Sequence, residues 1–227
     1  MTTRLTFTCL SMVCVFLVVP GSEAQLITPI SQNRYVNDPY HSQSCGDFGS
    51  FNGSVSDSGT LGGGGNYSVS ASQNSEIDAS SILGSGTADV SVWLGHGFTS
   101  SSASYFDVKF SLAVPCSMVM SGTVYAMSGG YGNITLSGSP GTLFQSGGSG
   151  STTTTNGVLA AGQYELLAQA NASTGAGHGS YSFDLELAVI PEPATIALAG
   201  SALVGLILCG KRRTTVMRSV GAASVKS

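Results

Sequence analysis

The chain has 227 residues, a formal charge of −4, and only 9% charged residues against 42% hydrophobic ones. Eight Lys and Arg face twelve Asp and Glu, so the chain lacks the basic surface that displaces counterions from phosphate, and nucleic acid is excluded as a partner. Gly contributes 31 residues and is joined by Ser and Thr, a composition that favours turns and short strands over long helices.

The first segment reads as an export signal over residues 1–24. Arg4 supplies a minimal positive region, Leu5 to Val19 an apolar stretch, and Pro20-Gly21 break it ahead of Ser22-Glu23-Ala24. Ser22 and Ala24 occupy the small-residue positions of a cleavage site, so cleavage between Ala24 and Gln25 is expected. The alternative is an uncleaved anchor, for which 15 apolar residues are few.

Beyond Ala24 the charge balance changes. Residues 25–190 keep only Arg34 and Lys109 of the basic set but ten of the acidic residues, a balance of −8. Docking on anionic headgroups is thereby disfavoured, whereas neutral glycans remain compatible. The cysteines thin out too. Cys9 and Cys14 precede the cleavage site and Cys209 lies in a terminal apolar run, which leaves Cys45 and Cys116 in the exported part. In an oxidising compartment the two are candidates for a disulfide, with two unpaired thiols as the alternative.

Residues 25–66 are expected to be irregular, because Pro29, Pro39 and the Gly62 to Gly65 run interrupt any continuous pattern. Residues 67–190 then show a two-residue period. Phe106, Val108, Phe110, Leu112 and Val114 alternate with Asp107, Lys109 and Ser111, and Tyr181, Phe183, Leu185, Leu187 and Val189 alternate with Ser182, Asp184 and Glu186. Shorter runs of the same kind recur, separated by Gly and Pro clusters. About eight short strands with a wet and a dry face predict an all-β fold, a single antiparallel β-sandwich or jelly-roll-like domain. The Gly147 to Asn156 stretch, with four consecutive threonines, reads as a loop.

Chemistry is sparse in this region. His96 and His178 sit between glycines and read as loop residues, and His41 stands alone. No zinc-ligand spacing, acidic calcium loop or nucleophile elbow occurs, so no catalytic residue, metal or cofactor is expected. Asp107, Asp184 and Glu186 fall on polar strand faces, where solubility explains them better than a glycosidase-type pair. Trp93 reads as core in a Val-rich strand, with a sugar platform as the alternative; Tyr105 is the other aromatic available to a binding face.

The end of the chain states an address. Pro191-Glu192-Pro193 precede an apolar run over residues 194–210, and Lys211-Arg212-Arg213 follow it. As a helix that run covers roughly 25 Å, a short membrane span whose start the prolines fix and whose cytoplasmic end the basic triplet marks, leaving 214–227 as a cytoplasmic tail. Pro-Glu-Pro, span and basic cluster together resemble the PEP-CTERM sorting signal of bacterial exported proteins, over 191–213. The resemblance implies recognition and processing by an exosortase-type enzyme. It implies nothing about the strands upstream. Two readings follow for the whole: a non-enzymatic surface or matrix protein associated with extracellular polysaccharide or biofilm, or a glycan- or ligand-binding adhesin, with a secreted hydrolase third.

Overall fold

The structure, a computed structural model, describes residues 25–93, 99–148, 150–173 and 175–191. Twelve strands run through them: β1 (Ile27–Asn37), β2 (Ser42–Cys45), β3 (Phe51–Leu61), β4 (Gly65–Ile77), β5 (Ser81–Trp93), β6 (Ser101–Leu112), β7 (Cys116–Met127), β8 (Gly130–Gly138), β9 (Gly141–Gly147), β10 (Ser151–Leu159), β11 (Gly162–Ser173) and β12 (Ala176–Val189). Sheet A has the order β2-β1-β6-β11-β8-β9 and sheet B the order β10-β7-β12-β5-β4-β3. All pairings are antiparallel, giving the all-β two-sheet architecture that the two-residue period predicts.

The alternating side chains make the core between the sheets. Phe106, Val108, Phe110 and Leu112 of β6, Tyr164 and Leu166 of β11, and Tyr181, Phe183, Leu185 and Leu187 of β12 are all buried. Phe106 meets Phe183 edge-on with ring centroids 4.9 Å apart, and Phe110 stacks on Tyr164 at 5.7 Å. Each fully buried large apolar side chain contributes about 1.5–3 kcal/mol of transfer free energy. The pattern ends with the strands: Val114 and Val189, on the expected dry face, are 44% and 49% exposed. Among the described residues the core runs from Leu26 to Leu187.

Residues 25–66 are not irregular. They form β1, β2 and β3, which extend both sheets. Pro29 is tolerated because β2 pairs only with Arg34 to Asn37, leaving the first half of β1 unpaired on that side, and the β1–β6 register shifts between Pro29 and Ser31. Pro39 sits in the β1–β2 turn, where Asp38 Oδ1 accepts the amides of Tyr40 and His41 at 2.7 Å each. The glycine run is the β3–β4 turn, with positive φ at Gly63 and Gly64. The Gly147 to Asn156 stretch also departs from expectation, since its threonines form β10 in unbroken register with β7. Thr is a good strand former even without an apolar face.

The glycines around His178 have a different purpose from the loop expected of them. Gly177 and Gly179 lie on the inner face of β12, and His178 points outward from a strand. A Cβ at Gly179 would strike the Tyr131 carbonyl oxygen, and one at Gly130 the His178 carbonyl oxygen. At this end the two sheets touch backbone to backbone. His96 lies outside the described residues.

The sandwich has two unlike corners. Where β2 meets β3, Arg34 is fully buried. Its Nε donates to Gln32 Oε1 at 2.6 Å, Nη1 to Ser75 Oγ at 3.1 Å, and Nη2 to the carbonyls of Asp47 and Gly49 at 2.7 Å each. The guanidinium also lies 6.0 Å from the Phe51 ring centroid. Burial lowers its pKa, opposed by the electrostatic attraction of Cys45 and Asp47, and the set of acceptors satisfies the cation in place of water. Gln43 Oε1 accepts the Ser54 amide at 3.1 Å and so occupies part of the β3 edge. At the opposite corner β9 and β10 end their sheets, and no Asp, Glu, Lys, Arg or His occurs between Lys109 and Glu165.

Candidate functional site

Both ends of the described chain leave the sandwich at one pole. Ile27 pairs with Leu112 at the end of β6, and Val189 pairs with Cys116 at the start of β7. The turn at Ala79 and Ser80 ties them together: the Leu26 and Ile27 amides donate to Ala79 O, and the Leu187 amide donates to Ser80 O, all at 2.9 Å. The central strand β12 therefore delivers Val189, Ile190 and Pro191 to the surface, where Ile190 is 38% exposed. Gln25, the residue expected after cleavage, lies on the same pole. Ala24, Glu192, Pro193, the span 194–210, Lys211, Arg212, Arg213 and the tail lie outside the described residues.

The two candidate cysteines are free thiols, which overturns the disulfide. Cys45 is on β2, at the Arg34 corner, where its Sγ accepts from Arg34 Nη2 at 3.1 Å and faces Asp47 O. Cys116 opens β7, next to the opposite edge of the other sheet, and is buried in the main core. Burial raises its thiol pKa. The width of the sandwich separates them, far beyond the 7 Å limit on Cα atoms that a disulfide bridges.

At the far pole, opposite Gln25 and Pro191, the outer face of sheet B carries aromatic and hydrogen-bonding groups. Trp93, at the end of β5, is 70% exposed rather than core. On neighbouring strands Asp89 pairs in register with His178, and His178 with Met127. His178 Nδ1 lies 2.5 Å from Asp89 Oδ1, and the Tyr125 ring centroid is 5.6 Å from that of His178. Tyr125 and Met127 are exposed. A carboxylate–imidazole pair beside a ring face offers donors, acceptors and an apolar platform together. The His178–Asp89 contact joins residues 89 positions apart, and only the register brings them together.

The outer face of sheet A is different. Tyr105 stacks on Tyr35 across the β1–β6 pair, centroids 5.0 Å apart. Asp107, next on β6, lies near Glu165, which is 3.5 Å from Lys109 Nζ. Burial, then the Glu165 charge, holds the Asp107 carboxyl above the ordinary carboxylate range, with Lys109 acting the other way. Asp184 and Glu186 are on sheet B, so the three carboxylates named from the sequence sit on opposite outer faces.

Residues 189–213 match the family model of the PEP-CTERM protein-sorting motif, and no family model matches the strands before it. No curated protein matches the chain. The motif begins on Val189, the residue that closes β12, so sandwich and signal adjoin without a linker. The chain is an exported protein that carries a PEP-CTERM sorting signal, the kind of signal that exosortase-type enzymes process.

Proposed function

We propose that this chain is a non-enzymatic protein of the cell surface or extracellular matrix, whose sandwich is left among extracellular polysaccharide after exosortase-type processing at Pro191-Glu192-Pro193. The observation that carries the reading is the junction: a closed, acidic domain whose central strand runs directly into the matched motif, with Gln25 at the same pole. A domain tethered there projects its far pole away from the membrane. Cell fractionation tests it. In a host with an exosortase the protein is expected in the surface or matrix fraction, and in its absence in the membrane fraction; the same distribution in both hosts would overturn the reading.

One observation favours a second reading, a glycan-binding adhesin. Tyr125 and Met127 are exposed beside the Asp89–His178 pair and Trp93 is exposed further along β5 on the same face, at the far pole, the part a ligand outside the cell reaches first. The outer face of sheet B has acidic residues but neither of the two basic residues of the exported part, so the glycan it accepts is neutral. On a glycan array, residues 25–191 would then retain a neutral glycan, and Trp93→Ala would abolish the signal. A blank array leaves the structural reading alone.

A further inference from the structure

We propose that the corner at β9 and β10 is an interface between copies of this chain, made by antiparallel pairing of edge strand β10 with β10 of a second copy. Three observations converge on it.

The first is the state of the edge. β10 pairs with β7 over all nine residues without a bulge, and among the described residues no strand pairs with its other side. Nine residues offer about 30 Å of unpaired amides and carbonyls. The devices that usually protect an edge are a charge, a proline, a bulge or a short strand. Ser151–Leu159 has none of these. The other three edges each have one. β2 has only four residues, β9 pairs across a register shift, and β3 carries Asp57 and has its Ser54 amide taken by Gln43.

The second is electrostatic. Residues 25–190 carry a balance of −8, so two copies repel over most approaches. The charged residues lie on β1, β3 to β6, β11 and β12 and in the turns that follow β1, β2 and β4. β7, β8, β9 and β10 carry none and stand together at one side of the sandwich, two in each sheet. A second copy meets no like charge there.

The third is the adjoining apolar surface. Val158 on β10 is 66% exposed and Val119 on β7 is 47% exposed, both on the outer face of sheet B. Their neighbours are Ser, Thr and Asn, so this corner is not solubilised by charge, and among the described residues nothing in the chain covers it. Identical strands paired antiparallel make an isologous contact that closes on itself, so the assembly is a two-fold dimer with sheet B continuous across twelve strands. Such a dimer leaves the chain-end pole and the far-pole aromatics of both copies free.

Sedimentation equilibrium on residues 25–191, which hold both buried clusters of the described residues, tests the pairing. The wild type is expected to dimerise, and the double variant Thr152→Lys, Thr154→Lys, at exposed positions, to raise the dimer dissociation constant by at least about tenfold through like charges across the seam. Circular dichroism of the variant should be unchanged. A wild type that stays monomeric up to about 1 mM, or a dimer indifferent to the lysines, overturns the proposal. In the full chain on cells, Asn156→Cys should yield a disulfide-linked dimer that Asn52→Cys, on the β3 edge, does not; equal cross-linking by both variants also overturns it.

Discussion

The two corners of the sandwich close the same kind of edge by opposite means. At β2 and β3 the gap between the sheets is filled by a buried guanidinium, five polar partners and a glutamine set against the strand edge. At β9 and β10 nothing charged is present, and a threonine-rich strand ends the sheet with its outer side unpaired among the described residues. The first corner is specified by a hydrogen-bond network that has one geometry. The second is specified only by the register of β10 on β7 and remains available to another strand. A fold can thus build one side of itself as a seal and the other as a seam.

If the Arg34 network is the seal, breaking it should have the largest effect. Arg34→Ala leaves the carbonyls of Asp47 and Gly49 and the Ser75 hydroxyl without their donor, and removes a fully buried charge. A loss of about 3–5 kcal/mol is expected in urea unfolding, by analogy with other broken buried charge networks. A loss under about 1 kcal/mol would mean that water replaces the guanidinium at little cost and that the corner is no seal.

A smaller change addresses the edge itself. Gln43→Ala exposes the Ser54 amide and should cost about 0.5–1.5 kcal/mol. If the seal keeps β3 from pairing, this variant should also form assemblies larger than a dimer in sedimentation, through an edge strand that the wild type keeps from pairing.

The smallest effect separates the charged side of the molecule from the uncharged one by pH. Burial and Glu165 raise the Asp107 carboxyl in the folded state above its unfolded value. The folded protein therefore holds that proton more tightly. This stabilising contribution is complete below the unfolded pKa of about 3.9 and is lost as pH rises through the folded value. Asp107→Asn, which cannot ionise, should raise the thermal midpoint at pH 7 and match the wild type near pH 3. A variant less stable than wild type at pH 7 would reverse the sign and contradict the assignment.

How much of this was legible depends on what each strand buries. β6 and β12 place Phe, Tyr, Leu and Val on alternate positions, and their core residues could be named from the period alone. β3 and β10 could not be read this way. β3 buries Phe51, Gly53 and Val55 among serines, and β10 buries little besides Leu159, so neither shows a dry face. Pro29 argued against a strand because its tolerance depends on how far β2 extends, a tertiary fact. The same holds for the sites. The sorting motif is contiguous, and its residues declare it. The Asp89–His178 pair and the Arg34 network join positions that only the sheet register brings together, and the glycines flanking His178 look like turn residues although close sheet approach requires them.

The functional account rests on the sequence that follows β12, and one substitution tests it most directly. If Pro191-Glu192-Pro193 only stop a helix, Glu192→Gln changes nothing, since both prolines remain. If a processing enzyme reads the motif, the neutral isostere leaves its partner for the carboxylate unsatisfied and is discriminated against. The measurement is the ratio of membrane-bound to released protein in a host that carries an exosortase. The account predicts that Glu192→Gln folds and is exported but accumulates in the membrane, and equal release from variant and wild type would contradict it.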